Sequence, residues 1–218
     1  MIRFDRAGYP FIAVSLVLAI AAWAVVSTWL GVVLLIFAAF FLFFFRDPER
    51  TAASVQNAVL SPADGRVLVA GPAAPGTAPE GQWQQVSIFL SPMDVHVNRV
   101  PVSGTVTRVS YTPGKYLPAY AHDAASANER SEIWIDHDGT PIVARQIVGV
   151  LARRVVCRLQ VGATVRAGDR YGVMKFGSRM DVFVPLDATI HVRVGETVVG
   201  GVTVIATLTT PGSWVDKS

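Results

Sequence analysis

The chain is poor in cysteine and in charge. Of its 218 residues only Cys157 is a cysteine, which excludes an intramolecular disulfide framework and any cysteine-cluster metal site. Charged residues make up 16%, against about 25% in an average soluble domain. The net charge of +3 is too small to argue for a nucleic-acid partner. The four histidines, His96, His122, His137 and His191, lack zinc-ligand spacing, so no metal site is expected. No long-period repeat is present. The hydrophobic share of 51% excludes a disordered chain, a coiled coil and a collagen-like fibre.

That hydrophobicity is concentrated. Residues 11–45 read FIAVSLVLAIAAWAVVSTWLGVVLLIFAAFFLFFF; only Ser15, Ser27, Thr28 and Gly31 fall outside the apolar set, and none of the 35 is charged. A straight helix of that length would run about 52 Å, against a hydrocarbon core of about 30 Å. A helical hairpin broken in the Ser27–Gly31 stretch resolves the mismatch. Each arm then has about 17 residues, near the short limit of a span, so a full crossing and a shallow re-entrant hairpin both fit. Arg3 and Arg6 precede the run and Arg46 and Arg50 follow it, which puts both ends on the cytoplasmic face. The run is too long for a signal-peptide core, and no small-residue cleavage site follows Phe45.

Residues 1–50 are therefore an anchor with its flanks, and residues 51–218 a second unit of ordinary composition. Residues 71–81, GPAAPGTAPEG, are broken by three glycines and three prolines and read as a loop. Beyond them, short Val- and Ile-rich runs alternate with glycine turns. The predicted strands are Arg66–Ala70, Gln84–Leu90, Gly104–Tyr111, Glu132–Asp136, Ile142–Val148, Val155–Gln160, Tyr171–Phe176, Asp181–Val184, Thr189–Val194 and Thr197–Leu208, with a short helix around Tyr120–Arg130. Many short strands predict a mainly β barrel or sandwich behind the N-terminal helical hairpin.

Three segments carry chemistry-bearing residues. Gly177-Ser178 lies between two strand-like runs. Glycine admits backbone geometries that other residues resist, and a serine hydroxyl beside the preceding carbonyl could attack its own peptide bond; by itself the pair reads as an ordinary turn. Asp64 follows Ser61-Pro62-Ala63 and precedes Gly65, a turn signal with a carboxylate at the mouth of a strand. Asp94 and His96 alternate in SPMDVHVNRVP. If extended they share a face, with His96 a candidate acid or base; otherwise Asp94 caps a local turn. Asn128-Glu129-Arg130 is a compact polar trio, read as solvated or capping with substrate contact as the alternative. His137 reads as a hairpin tip, His191 as part of an alternating strand, His122 as part of an Ala-rich loop. Arg153-Arg154 could meet anionic headgroups or simply face solvent.

Taken together, SPADG at 61–65, FLSPMDVHVNRVP at 89–101, NERSE at 128–132, QIVGVLARRVVC at 146–157 and GVMKFGSRMDVFVP at 172–185 resemble the phosphatidylserine decarboxylases of the short, bacterial proenzyme type. The resemblance runs from the hairpin to Ala206. It implies that the Ser178 hydroxyl attacks the Gly177 carbonyl to give an ester. Elimination then splits the chain into residues 1–177 and 178–218, and the new N-terminus becomes a pyruvoyl group. The two chains stay associated, and a higher oligomer is compatible with the pattern. The pyruvoyl ketone would form a Schiff base with the phosphatidylserine amine and act as electron sink while CO₂ leaves. Phosphatidylethanolamine results, with neither pyridoxal phosphate nor metal, at the cytoplasmic face of the inner cell membrane. The resemblance also implies that Asp64 and Ser178 act in cleavage. Long-form relatives carry a second histidine three residues beyond the His96 position; here that residue is Arg99. His96 is then the candidate acid/base for cleavage or reprotonation, and Arg99 can bind phosphate or carboxylate with its fork of donors. Asn128, Glu129 and Arg130 are further candidates for substrate binding.

Three other readings compete. A lipoyl- or biotinyl-carrier-like domain would use Lys175, whose Met-Lys context resembles a carrier hairpin, and would leave the chain intact. A serine hydrolase built from Asp64, His96 and Ser178 would need the strand–turn–helix elbow that the sequence lacks. A decarboxylase of a related archaeal-type serine phospholipid would share the chemistry.

Overall fold

The computed structural model describes residues 2–53, 55–121, 123–150, 155–175 and 177–209. His122, Arg153, Arg154 and Phe176 lie outside them.

The apolar run forms the expected hairpin. Helix α1 spans Tyr9–Ala21, continues through a wider turn at Ala22–Val26, and stops at Ser27, whose extended backbone (φ −166°, ψ 137°) reverses the chain. Helix α2 spans Thr28–Phe44. The helical stretch Arg6–Val26 has 21 residues and is long and apolar enough to cross a membrane; its rise is about 31 Å, and that of α2 about 26 Å. The seam between the arms is made of small residues. Ser15, Ala19 and Ala22 are buried on one side, Gly31 and Ala38 on the other. A β-carbon at Gly31 would press on the Trp23 backbone, and one at Gly8 would overlap the Phe45 ring. The large side chains Val17, Ile20, Val25, Trp29 and Ile36 point outward and are more than 60% exposed. Small inside and greasy outside inverts the rule for a water-soluble helix pair and matches helices packed in lipid.

The remainder is mainly β. An eight-stranded antiparallel sheet runs, edge to edge, Thr164–Val165, Gly104–Thr112, Arg130–His137, Thr140–Ile147, Ser178–Val184, Gln84–Leu90, Gly65–Pro72 and Thr197–Val198. Two three-stranded sheets flank it: Val156–Cys157, Arg170–Val173 and Val97–Arg99 in one, Thr189–Ile190, Val204–Thr207 and Ala58–Leu60 in the other. A two-stranded ribbon, Ile2–Phe4 with Arg46–Pro48, ties the two ends of the hairpin together. The interior face of the large sheet carries Val86, Ile88, Leu90, Ile133, Ile135, Ile142, Ala144, Met180 and Val182, all buried in one core. Its other face carries a cross-strand row, Ser87, Asp181, Arg145 and Glu132, in which Arg145 pairs with Glu132 and Arg179 with Asp181.

Several elements differ from the sequence reading. The run 197–208 is two strands, because Gly200 and Gly201 turn the chain between them. Val155–Gln160 pairs only at Val156–Cys157, and Thr189–Val194 only at Thr189–Ile190. The helix near Tyr120–Arg130 is one turn, Ala124–Ala127, since Asn128 leaves the helix to spend its amide on neighbouring loops. Asp138 (φ 50°) and Gly139 (φ 84°) make the tight reversal after His137, the geometry that two-residue hairpins favour.

Candidate functional site

The site is built around the turn that joins Arg170–Val173 to Ser178–Val184. Gly177 in that turn has φ +76°, a left-handed conformation that costs other residues about 1–2 kcal/mol. Ser178 opens the central strand. It lies opposite Leu90 and so shares the interior face with Met180 and Ile88. The side chain is fully buried, and its Oγ has no hydrogen-bond partner among the described residues. A buried hydroxyl without a partner is a rare expense, here set directly beside a peptide carbonyl whose glycine is held in an unusual conformation.

His96 flanks the same turn: its carbonyl accepts the Met174 N–H at 3.2 Å. The imidazole is buried, and its Nδ1 lies 2.9 Å from the Asp94 carbonyl. A carbonyl only accepts, so Nδ1 carries the proton. Burial, the dominant cause, pulls the ring's pKa down to about 4, against the weaker upward pull of the Asp94 carbonyl and charge. The ring is therefore neutral at pH 7, and Nε2 presents a bare lone pair. That atom also has no partner among the described residues. The Phe44 ring, at the end of α2, lies against the imidazole with 4.1 Å between centroids and the planes tilted by 33°, so the foot of the hairpin covers part of the ring. Lys175 sits 4.9 Å from the Phe11 ring centroid, which brings the turn itself against α1.

Asp94 and His96 do not share a face of a strand. Asp94 closes a turn, its Oδ2 accepting the Ser91 N–H at 2.7 Å, and the strand begins only at Val97. Asp64 does stand at the mouth of Gly65–Pro72, where it accepts the Gly200 N–H at 2.8 Å and a two-pronged bond from Arg50 at 2.5 and 2.7 Å. Arg99 is buried, and its fork is engaged from within: Asp47 Oδ1 at 3.2 Å, the Pro48 carbonyl at 2.9 Å and the Gly168 carbonyl at 3.0 Å. Asp47 also holds Arg170 at 2.5 Å, and Asp5 holds Arg158 through both oxygens at 2.7 and 2.9 Å. Residues flanking the hairpin on both sides thus neutralise cations and an anion of the β unit. Burial of the Arg99 head, countered by Asp47, lowers its pKa from a value so high that the guanidinium stays charged.

The trio at 128–130 is not grouped as an open binding edge. Asn128 is fully buried; its amide accepts the Leu117 N–H at 2.9 Å and donates to the Leu117 and Val148 carbonyls at 2.8 Å each. Glu129 takes the Tyr116 hydroxyl at 2.9 Å, and Arg130 donates to the Ser126 carbonyl at 2.7 Å. They lash the Lys115–Tyr120 loop to the segment following Ile147. Among the described residues no group of three or more His, Cys, Asp or Glu is placed to hold a metal. Phe44, Asp47 and Arg50 escaped the sequence reading. The signal available for the last two was the charge alternation of Arg46-Asp47-Pro48-Glu49-Arg50, whose partners lie far away in sequence.

Residues 37–206 match the family model for phosphatidylserine decarboxylase. The chain is 41% identical over 211 residues to a phosphatidylserine decarboxylase proenzyme of Wolbachia pipientis, covering 94% of this chain and 91% of that one. It is 45% identical over 213 residues to the proenzyme of Granulibacter bethesdensis, covering 93% and 84%. It is 48% identical over 169 residues to that of Chlorobium phaeobacteroides, covering 77% and 78%. With matches of that extent laid over a Gly-Ser turn whose serine is buried, the chain belongs to the phosphatidylserine decarboxylase family.

Proposed function

We propose that this protein decarboxylates phosphatidylserine to phosphatidylethanolamine, using a pyruvoyl group that it makes from its own Ser178. The observation that carries the proposal is the buried Ser178 Oγ, without a hydrogen-bond partner among the described residues, next to Gly177 at φ +76°. Such a hydroxyl gains most by forming a bond with the adjacent carbonyl carbon. The Ser178 proton leaves, the Oγ–C bond forms and the Gly177–Ser178 C–N bond breaks, giving an ester. Loss of the Ser178 α-proton then expels the Gly177 carboxylate with the former hydroxyl oxygen. The enamine left at residue 178 takes up water and releases ammonia, so the electrons balance without an oxidant. Residues 1–177 and 178–218 remain paired, because Ser178–Val184 lies between Thr140–Ile147 and Gln84–Leu90 in one sheet.

The neutral Nε2 of His96 is the proton acceptor we assign to the first step. Having taken up that proton, the same nitrogen is the one we assign to return a proton to the substrate α-carbon after CO₂ departs. When formed, the pyruvoyl group supplies the electron sink that the departing carboxylate needs. Asp64, locked to Arg50, anchors the flank of the hairpin and adds a small charge effect at His96 behind those of Asp94 and Arg46. Arg99, Asn128, Glu129 and Arg130 hold the walls of the site, with Arg99 fixed to the membrane-proximal Asp47.

Residues 1–50 serve as anchor and 51–218 as catalytic domain. We assign the hairpin to the inner cell membrane, with the β unit on the cytoplasmic face, where its foot against His96 sets the reacting groups at headgroup depth. The carrier reading fits less well, since Lys175 lies against the Phe11 ring and not at a free hairpin tip. The hydrolase reading fits less well too, because Ser178 starts a strand and Asp64 is committed to Arg50. Purified wild-type protein should convert phosphatidylserine vesicles to phosphatidylethanolamine, while Ser178→Ala, lacking the attacking oxygen, should stay a single chain and release no CO₂. Turnover by the uncleaved variant would refute the assignment.

A further inference from the structure

The segment after the Thr140–Ile147 strand runs beside the Gly177–Ser178 turn. Gly149 lies there, and the position where a β-carbon would grow from it falls on the Gly177 carbonyl oxygen, with the Ala119 methyl 3.4 Å away on another side. The φ of Gly149 is not in the left-handed region, so conformation does not demand a glycine; space does. Gly177 presents the opposite case. A β-carbon there would meet nothing within 4 Å, and its φ of +76° is what requires glycine.

The approach is held from behind. Val148 donates its N–H to the Glu129 carbonyl at 3.1 Å, and its own carbonyl accepts the Asn128 amide at 2.8 Å. Asn128 is fully buried, and among the described residues its side chain bonds only to backbone groups. On the other side, Ile147 pairs with Arg179, the residue after Ser178. Gly149 is therefore held through the two residues that precede it, and its α-hydrogen rests on the carbonyl that the Ser178 hydroxyl is to attack. A Cα–H···O contact of this type is weak. Its importance is positional, because an attacking oxygen needs the carbonyl within a narrow range of angle and distance.

We infer that Gly149 is a positioning residue for chain cleavage: it sets the orientation of the scissile Gly177 carbonyl, and Asn128 holds Gly149 against it through Val148. This rests on the reading that the chain breaks at Gly177–Ser178, and it adds to that reading the side of the carbonyl opposed by protein. It gives the NERSE and QIVGVLARRVVC blocks a shared task that is not substrate contact.

The test uses full-length protein in membranes, followed on denaturing gels with and without hydroxylamine, which cuts the ester but not the peptide. Wild type should appear as two chains and Ser178→Ala as one, hydroxylamine or not; an uncleaved wild type would sink the cleavage reading itself. Gly149→Ala should retain the protease resistance of Ser178→Ala, cleave at least ten-fold more slowly than wild type, and yield no hydroxylamine-labile ester, because the block precedes ester formation. Wild-type cleavage by Gly149→Ala would overturn the inference while leaving the cleavage reading intact. Accumulation of ester would overturn it too, by moving the defect to the elimination step. So would rescue by a second change, Ala119→Gly, which relieves the Ala119 wall and not the carbonyl overlap. Should Gly149→Ala lose its protease resistance, Asn128→Ser decides: it adds no atom to the turn and should slow cleavage several-fold with no ester, and a folded Asn128→Ser that cleaves at the wild-type rate contradicts the inference.

Discussion

At the scale of single residues, the site rests on two buried polar atoms, Ser178 Oγ and His96 Nε2, that find no partner among the described residues. The histidine makes a testable statement about pH. Its ring titrates near 6.5 when unfolded and at about 4 when folded. Between those values the unfolded chain holds the extra proton, so stability is complete above about pH 6.5 and is lost as the pH falls toward 4. The ring's share is about 3 kcal/mol at most, from 1.36 kcal/mol per pKa unit. His96→Gln should therefore flatten the fall in stability between pH 7 and 4.5, read by urea unfolding in detergent; an equal fall in variant and wild type would remove the buried neutral imidazole from the account. Ser178 and His96 were legible as residue types in ordered blocks. Of the two readings of Asp94 and His96, the local cap is the one found: Asp94 bonds its own turn, a local choice that competes with extension. Gly149 was quoted inside a block, but nothing in sequence could single it out: its need for a hydrogen in place of a side chain arises from a carbonyl 28 positions away in the chain.

At the scale of elements, the hairpin and the site are not separate devices. Phe44, the last residue of α2, lies against the His96 ring, and Phe11 of α1 meets Lys175. Phe44→Ala would admit water to the imidazole and let its pKa climb toward 6.5. The acid limb of the cleavage-rate profile should move up in pH by one unit or more, alongside the few kcal/mol that an emptied aromatic site costs; an unmoved limb would show that α2 does not set the ring's environment. The hairpin itself was plain in the sequence, with its break placed in the Ser27–Gly31 stretch and found at Ser27, because a 35-residue apolar run cannot be one straight span. The long central strands were equally legible by their Val/Ile content and glycine boundaries. The short strands were not. Ala58–Leu60, Val97–Arg99 and Thr164–Val165 have two or three residues each, too few to show a period, and they exist because partners elsewhere in the chain bind them.

At the scale of the whole molecule, the anchor is tied to the β unit by charge as well as by rings. Asp5 meets Arg158, Asp47 meets Arg99 and Arg170, and Arg50 meets Asp64. On the proposed reading of the hairpin as a membrane anchor, a joint of this kind would fix the height of the site above the bilayer. Trp23 and Trp29, at the far end of the hairpin and 53% and 81% exposed, should then be quenched by lipids brominated deep in their acyl chains, and lack of quenching would contradict insertion. The composition that looked like that of one greasy protein divides into an apolar helical hairpin and a mainly β remainder whose central strand begins at Ser178. The central claim is that Ser178 becomes the blocked N-terminus of a second chain. Intact-mass measurement of the mature protein tests it most directly. The account predicts two chains, residues 1–177 with a free carboxylate and residues 178–218 carrying a ketone in place of the Ser178 amine; a single chain of full-length mass from active protein, or a second chain starting with an ordinary serine, would contradict it.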